Sequence, residues 1–139
     1  VVKMTLETAQ ILSTAARIQG ADSDQLYKIT HKNHPVVRAC VSEPIYAHWV
    51  YFHGLALGEE YTARFGKAHK SVRITEIAGE LIDRREGIIE NVPLAMPDEF
   101  RSSDPVLSYR NYLRAKYQAW ADDGKTPRWK NSRPPEWLI

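Results

Sequence analysis

Apolar positions along this chain recur mostly with the period of a helix, not with the alternation of a strand. Over residues 2–18, Met4, Ile11, Ala15 and Ile18 keep helical spacing, Leu6 and Leu12 lie beside them, and Gly20 supplies a stop. Residues 21–35 lose the period and read as an irregular loop rich in donors, closed by Pro35, which turns His34 away from helical geometry. Residues 36–42 fit a short helical turn or a strand. Pro44 then opens the longest pattern, running to Phe65, with one stripe of Ile45, Trp49, Phe52 and Ala56 and a second of Tyr46, Val50, His53 and Leu57. So wide an apolar face predicts the central buried helix, ended by Gly66. A further helix over 68–83 turns Val72, Ile74, Ile77, Ala78 and Leu81 inward. Residues 84–103, with Pro93 and Pro97, form a connector. Ser103-Asp104-Pro105 places an N-cap before a proline, and the helix it starts runs to about Trp120 with Val106, Tyr109, Leu113 and Tyr117 or Trp120 facing inward. Asp122-Asp123-Gly124 ends it. The remaining tail, Lys125–Ile139, should be extended and packed by Trp129 and Trp137. The expected fold is therefore all-α, a compact single helical domain over 1–139 with long irregular connectors and an extended C-terminal tail.

Composition supports one ordinary globular domain and adds little else. The chain has 139 residues, 43% hydrophobic and 26% charged. That length buries a core without staples. No apolar run reaches the roughly 18 residues of a membrane span, so no membrane partner is expected. The single cysteine, Cys40, excludes an internal disulfide and fits a reducing, cytoplasmic setting. The chain begins Val1-Val2-Lys3-Met4, inside an uncapped apolar helix, which implies that a native segment upstream is missing.

Charge changes the picture more. The net charge of +2 hides a segregation: residues 1–100 carry 11 basic and 13 acidic groups, and residues 101–139 carry 8 basic and 4 acidic groups. A second positive block, Thr62–Thr75, holds Arg64, Lys67, Lys70 and Arg73 and no acid. Segregated charge of this kind suits a polyanion. Two polar stretches stand out and should meet in space. One is His31-Lys32-Asn33-His34-Pro35; the other is Glu59-Glu60-Tyr61, Arg64-Phe65-Gly66-Lys67 and His69-Lys70-Ser71. Donors of this density suit phosphate or base contacts. His31, His34 and His69 could instead converge with Glu59 or Glu60 on a metal, but no H-E-x-x-H or C-x-x-C spacing supports that. Glu7 shares a helix face with Gln10 among apolar neighbours, where a carboxylate needs a partner. From the residues alone it reads first as a surface group on an amphipathic helix.

Several of these pieces occur together in one known setting. They are Glu7 and Gln10 on a first helix, Asn33-His34-Pro35, Tyr61 to Gly66 closing the long helix, Pro97 to Arg101, and Arg133-Pro134-Pro135-Glu136-Trp137. The chain resembles a group of phage and bacterial proteins that is similar to a distant branch of the pyrimidine-dimer DNA glycosylases, the endonuclease V family of phage. The resemblance covers most of the chain, thinly. It implies a compact all-α fold without metal or cofactor, acting on double-stranded DNA. Such enzymes excise a damaged pyrimidine and nick the backbone: a free α-amine attacks C1′, releases the base and forms an imine that drives β-elimination. A glutamate of the first helix assists. Carried onto this chain, Glu7 takes that role, with His31 and His34 beside it as the catalytic set. Lys32, Asn33, Arg64, Lys67, His69, Lys70, Arg110 and Arg114 become the nucleic-acid contacts. Two departures bear on activity. Val1 lies six residues before Glu7, where the family's amine lies roughly twenty before its glutamate, and Leu6 and Gln10 stand where the family has arginines. The expected function is thus a DNA glycosylase or lyase on damaged or modified pyrimidines. A non-catalytic nucleic-acid-binding module, a histidine-based hydrolase or base-modifying enzyme with or without metal, and a phage structural or host-interaction protein remain as alternatives.

Overall fold

The computed structural model describes all residues, 1–139, and is entirely helical, with five α-helices and no strand. They are α1 (Val2–Ile18), α2 (Pro35–Ser42), α3 (Pro44–Phe65), α4 (Lys70–Leu81) and α5 (Pro105–Asp122). The chain divides into two compact units, Val1–Pro93 and Leu94–Ile139.

In the first unit, prolines sit at the first turns of α2 and α3, where a missing N–H is harmless. Residues 36–42, compatible with turn or strand, are helical. Gly66 ends α3 in the left-handed region at φ 69°, as its position predicts. The centre of the unit is α1, not α3: α1 packs against α2, α3 and α4. Its buried positions are mostly small residues, Thr5, Thr8, Ala9, Ser13, Thr14, Ala15 and Ala16, with Leu12 the one large side chain among them, while Met4 and Ile18 are exposed. On α3 the buried positions are Tyr46, Ala47, Val50, Gly54 and Gly58, and the aromatic stripe with Trp49 and Phe52 faces outward. On α4 they are Ser71, Thr75, Ala78 and Gly79, with Leu81 exposed. The cause is close approach. A Cβ added at Gly54 would stand 2.9 Å from the Thr8 Cγ2 methyl and 3.0 Å from that of Thr75, so α1, α3 and α4 meet with almost no side chain between them. Leu12, Leu26, Cys40, Tyr46, Val50 and Ile82 fill the core around that contact.

Arg17 holds the long loop after α1 by donating to the carbonyls of Ser23 (2.7 Å), Leu26 (3.0 Å) and Tyr27 (2.8 Å). Thr14 and Thr30 exchange two hydrogen bonds: the Thr14 hydroxyl donates to the Thr30 carbonyl (3.2 Å) and accepts from the Thr30 N–H (3.1 Å). These bonds satisfy loop backbone that would otherwise be desolvated without partners.

The second unit is built on α5. Asp104 caps it, accepting from the N–H groups of Val106 (2.8 Å) and Leu107 (3.1 Å). A short 3-10 turn, Asp98–Phe100, precedes it, and another, Glu136–Leu138, ends the tail. Trp129 stacks on Tyr117 at 6.1 Å, and Trp137 lies under the guanidinium groups of Arg110 (5.8 Å) and Arg114 (5.9 Å). The tail thus packs through both tryptophans. The inward face of α5 is narrower than its periodicity predicts: Ser108 is buried, whereas Val106, Leu113 and Trp120 are exposed.

Candidate nucleic-acid interface

The loop that precedes α2 meets the start of α4 at one point in the first unit. The Tyr27 hydroxyl, on the loop, lies 2.9 Å from the Ser71 hydroxyl in the first turn of α4. Ser71 is buried, so this contact fixes the loop against the start of α4. Lys28, His31, Lys32 and Asn33 on one side and Lys67 and Lys70 on the other are all exposed. Lys28, Lys32, Lys67 and Lys70 take part in none of the chain's ion pairs. Neither α2 nor α4 has an acid in its first turn, so the partial positive charge of each N-terminus adds to the field of the lysines.

The histidines have local structural duties. His34 is the N-cap of α2, its Nδ1 accepting from the Val36 N–H at 3.2 Å. His69 does the same for α4, accepting from the Ser71 N–H at 3.1 Å, with its ring edge-on to Tyr61 at 4.7 Å. In both, Nδ1 must be unprotonated to accept, which leaves Nε2 as the N–H pointing away from the cap. His31 sits at a left-handed φ of 48°, its Nδ1 2.7 Å from the Thr30 hydroxyl.

The other expected residues have partners of their own. Glu7 pairs with Lys3 across one turn at 3.3 Å, its side chain 38% exposed, and forms no hydrogen bond with His31 or His34. Arg64 is largely covered and donates to Glu60 at 2.6 Å. No group of three His, Cys, Asp or Glu side chains is arranged to hold a metal ion; His31, His34 and His69 therefore do not converge with Glu59 or Glu60. In the second unit, Arg114 donates from Nε to the Trp137 carbonyl at 2.8 Å and from Nη1 to Asn111 at 3.3 Å. Arg110 and Arg114 thus clamp the tail, with their guanidinium groups still exposed at the surface. An open groove of about 450 Å³ between α3 and α4 is lined by Leu55, Gly58, Glu59, Thr62, Val72 and their neighbours, with none of Glu7, His31 or His34 among them.

Arg17 organises the loop and is not singled out by pattern; a lone arginine before a Ser/Asp loop is the available signal. Ser71 belongs to the second polar stretch, but its contact with Tyr27 is not legible locally. No helix of the chain is long and apolar enough to cross a membrane. No family model, curated protein or solved structure matches the chain.

Proposed function

We propose that this protein binds nucleic acid, with double-stranded DNA as the partner, through a phosphate-binding rim formed by Lys28, His31, Lys32, Lys67 and Lys70. The observation that supports the reading most is the Tyr27–Ser71 contact, which holds the chain next to Lys28 against the first turn of α4 next to Lys70, both lysines exposed and in no ion pair. Lysines of this kind act as point charges on phosphates and gain from counterion release. The His69 ring adds a donor at Nε2 next to Lys70. The resemblance to pyrimidine-dimer glycosylases directs the reading to duplex DNA, and a cytoplasmic location belongs to the same proposal. Base excision, which that resemblance also implies, would ask Glu7 to act as acid or base. Glu7 pairs with Lys3 instead, so binding is the stronger reading.

The test is the salt dependence of binding to a fluorescein-labelled 20-base-pair duplex, read by anisotropy. The expected plot of log K against log salt is linear. The Lys32→Glu/Lys70→Glu variant should flatten its slope by about two, since each lost phosphate contact removes roughly 0.9. Absence of binding at low salt, or a slope unchanged in the variant, would refute the rim.

A further inference from the structure

The second unit keeps its aromatic residues near the surface. On α5 only Ser108 is buried, so none of that helix's rings is enclosed in a core. Tyr112, Lys116 and Trp120 follow at intervals of four residues and share one face. They span about 12 Å of helix. Lys116 sets its ammonium 5.0 Å from the centre of the Tyr112 ring. Trp120 is 43% exposed and meets the Tyr117 ring at a steep angle, 5.3 Å between centres. Tyr117 in turn stacks on Trp129 of the tail at 6.1 Å and 24°. Neighbouring rings thus restrain Trp120 while much of it stays open to solvent, so little freedom is left to lose when a flat partner stacks on it.

Charge around these rings is positive. Residues 105–139 carry 7 basic and 3 acidic groups. Lys116 adjoins Tyr117 in the chain and Arg128 adjoins Trp129; both cations are exposed and form no ion pair. The two acids that follow Trp120 are occupied. Asp122 accepts from the Gln118 amide at 2.9 Å, and Asp123 pairs with Lys125 at 3.0 Å. An open indole among such cations matches a single nucleic-acid strand, whose unpaired bases offer π-faces and whose phosphates meet the positive charge. A duplex keeps its bases stacked on one another and presents no such face. An apolar protein surface would have to desolvate Lys116 and Arg128 without supplying a counter-charge.

We infer that this face of the second unit binds single-stranded nucleic acid, Trp120 stacking on an unpaired base and Lys116 and Arg128 meeting the flanking phosphates. The site shares no residue with the lysine rim of the first unit. It has in common with that reading only the class of partner, so either can fail alone.

Anisotropy of the full chain with labelled oligothymidylate and oligouridylate of about 16 nucleotides tests it, the pair telling a DNA strand from an RNA strand. Trp120→Leu should weaken binding about tenfold, and Trp120→Phe, which keeps a ring, should lose much less. Lys116→Gln/Arg128→Gln leaves Trp120 and its neighbouring rings in place. It should flatten the slope of log K against log salt by about 1.4, since each single-strand phosphate contact contributes roughly 0.7. Affinity for the labelled duplex should be the same in Trp120→Leu as in wild type. Failure of the wild-type chain to bind either strand at low salt overturns the inference. So does a Trp120→Leu chain that binds strands as well as wild type, or one that loses duplex affinity to the same degree. Equal losses in the Leu and Phe variants would replace stacking by plain apolar contact, and a salt slope unchanged in the double variant would remove the phosphate contacts.

Discussion

Adding one methyl group at Gly54 tests the account of the core most directly. In a helix interior, Gly→Ala stabilises by about 1 kcal/mol through backbone entropy alone. At Gly54 the new Cβ would stand 2.9 Å from Thr8 Cγ2 and 3.0 Å from Thr75 Cγ2, where carbon atoms settle at about 3.5–4.0 Å. Each neighbour would have to retreat by roughly half an ångström or more. Neither can do so by changing rotamer cheaply: both are β-branched, helical and almost wholly buried, on two different helices. Overpacking of this kind costs about 1–3 kcal/mol. Two clashes place it in the upper part of that range, so after subtracting the propensity gain we expect Gly54→Ala to destabilise by about 1–2 kcal/mol. Urea unfolding followed by far-UV circular dichroism should show a lower midpoint with an unchanged slope. Thr75→Ser removes one of the two methyls and should recover part of the loss in the double variant, a coupling of about 0.5 kcal/mol or more. Gly54→Ala more stable than wild type by the full propensity term would mean that α1, α3 and α4 are not in contact at this point.

Further outcomes follow from single groups. The Thr75 hydroxyl is buried with no hydrogen-bond partner, so the near-isosteric Thr75→Val should raise stability by about 1 kcal/mol; a lower urea midpoint would show that the hydroxyl is satisfied. Burial pushes the Cys40 thiol from an ordinary value of 9.0 up to about 12, and the unfolded chain alone ionises between those values. The thiol's share of stability is therefore intact below pH 9 and is lost as pH rises towards 12, so the gap between wild type and Cys40→Ala should narrow by about 1.4 kcal/mol per pH unit in that window; a constant gap from pH 8.5 to 10 would contradict it. His69→Ala removes the acceptor that caps α4 and should cost about 1 kcal/mol, and His69→Asn should recover most of it; equal midpoints for all three chains would leave the cap without weight. Glu7→Gln should leave duplex affinity unchanged within a factor of two, and in a lesion-containing duplex it separates binding from excision: base release by the wild type that vanishes in this variant would return Glu7 to a catalytic role.

Much of the fold is legible in local chemistry. Asp104 before Pro105 marks the start of α5, and the structure shows the side-chain cap that the pair implies. Gly66 after Phe65 marks the end of α3, and its φ of 69° is one that glycine adopts without strain. The Tyr27–Ser71 contact is not legible in that way: Tyr27 stands among the loop donors and Ser71 closes the second polar stretch, but no local spacing pairs residues 44 apart.

The sequence by itself determined where α3 and α5 begin and where α3 ends, and which lysines have no neighbouring acid to neutralise them, while it left residues 36–42 open between helix and strand. These are decided within one turn of chain, by capping, proline and glycine geometry, and spacing. Only the tertiary structure decided which face of each helix is buried. Hydropathy favours Trp49 and Phe52 over Gly54 and Gly58, yet the glycines are inside. Three helices crossing at van der Waals contact gain dispersion over their whole length, which one large ring at the crossing would forfeit by holding them apart. The same geometry made α1 rather than α3 the central helix, and left the aromatic stripe of α3 on the surface.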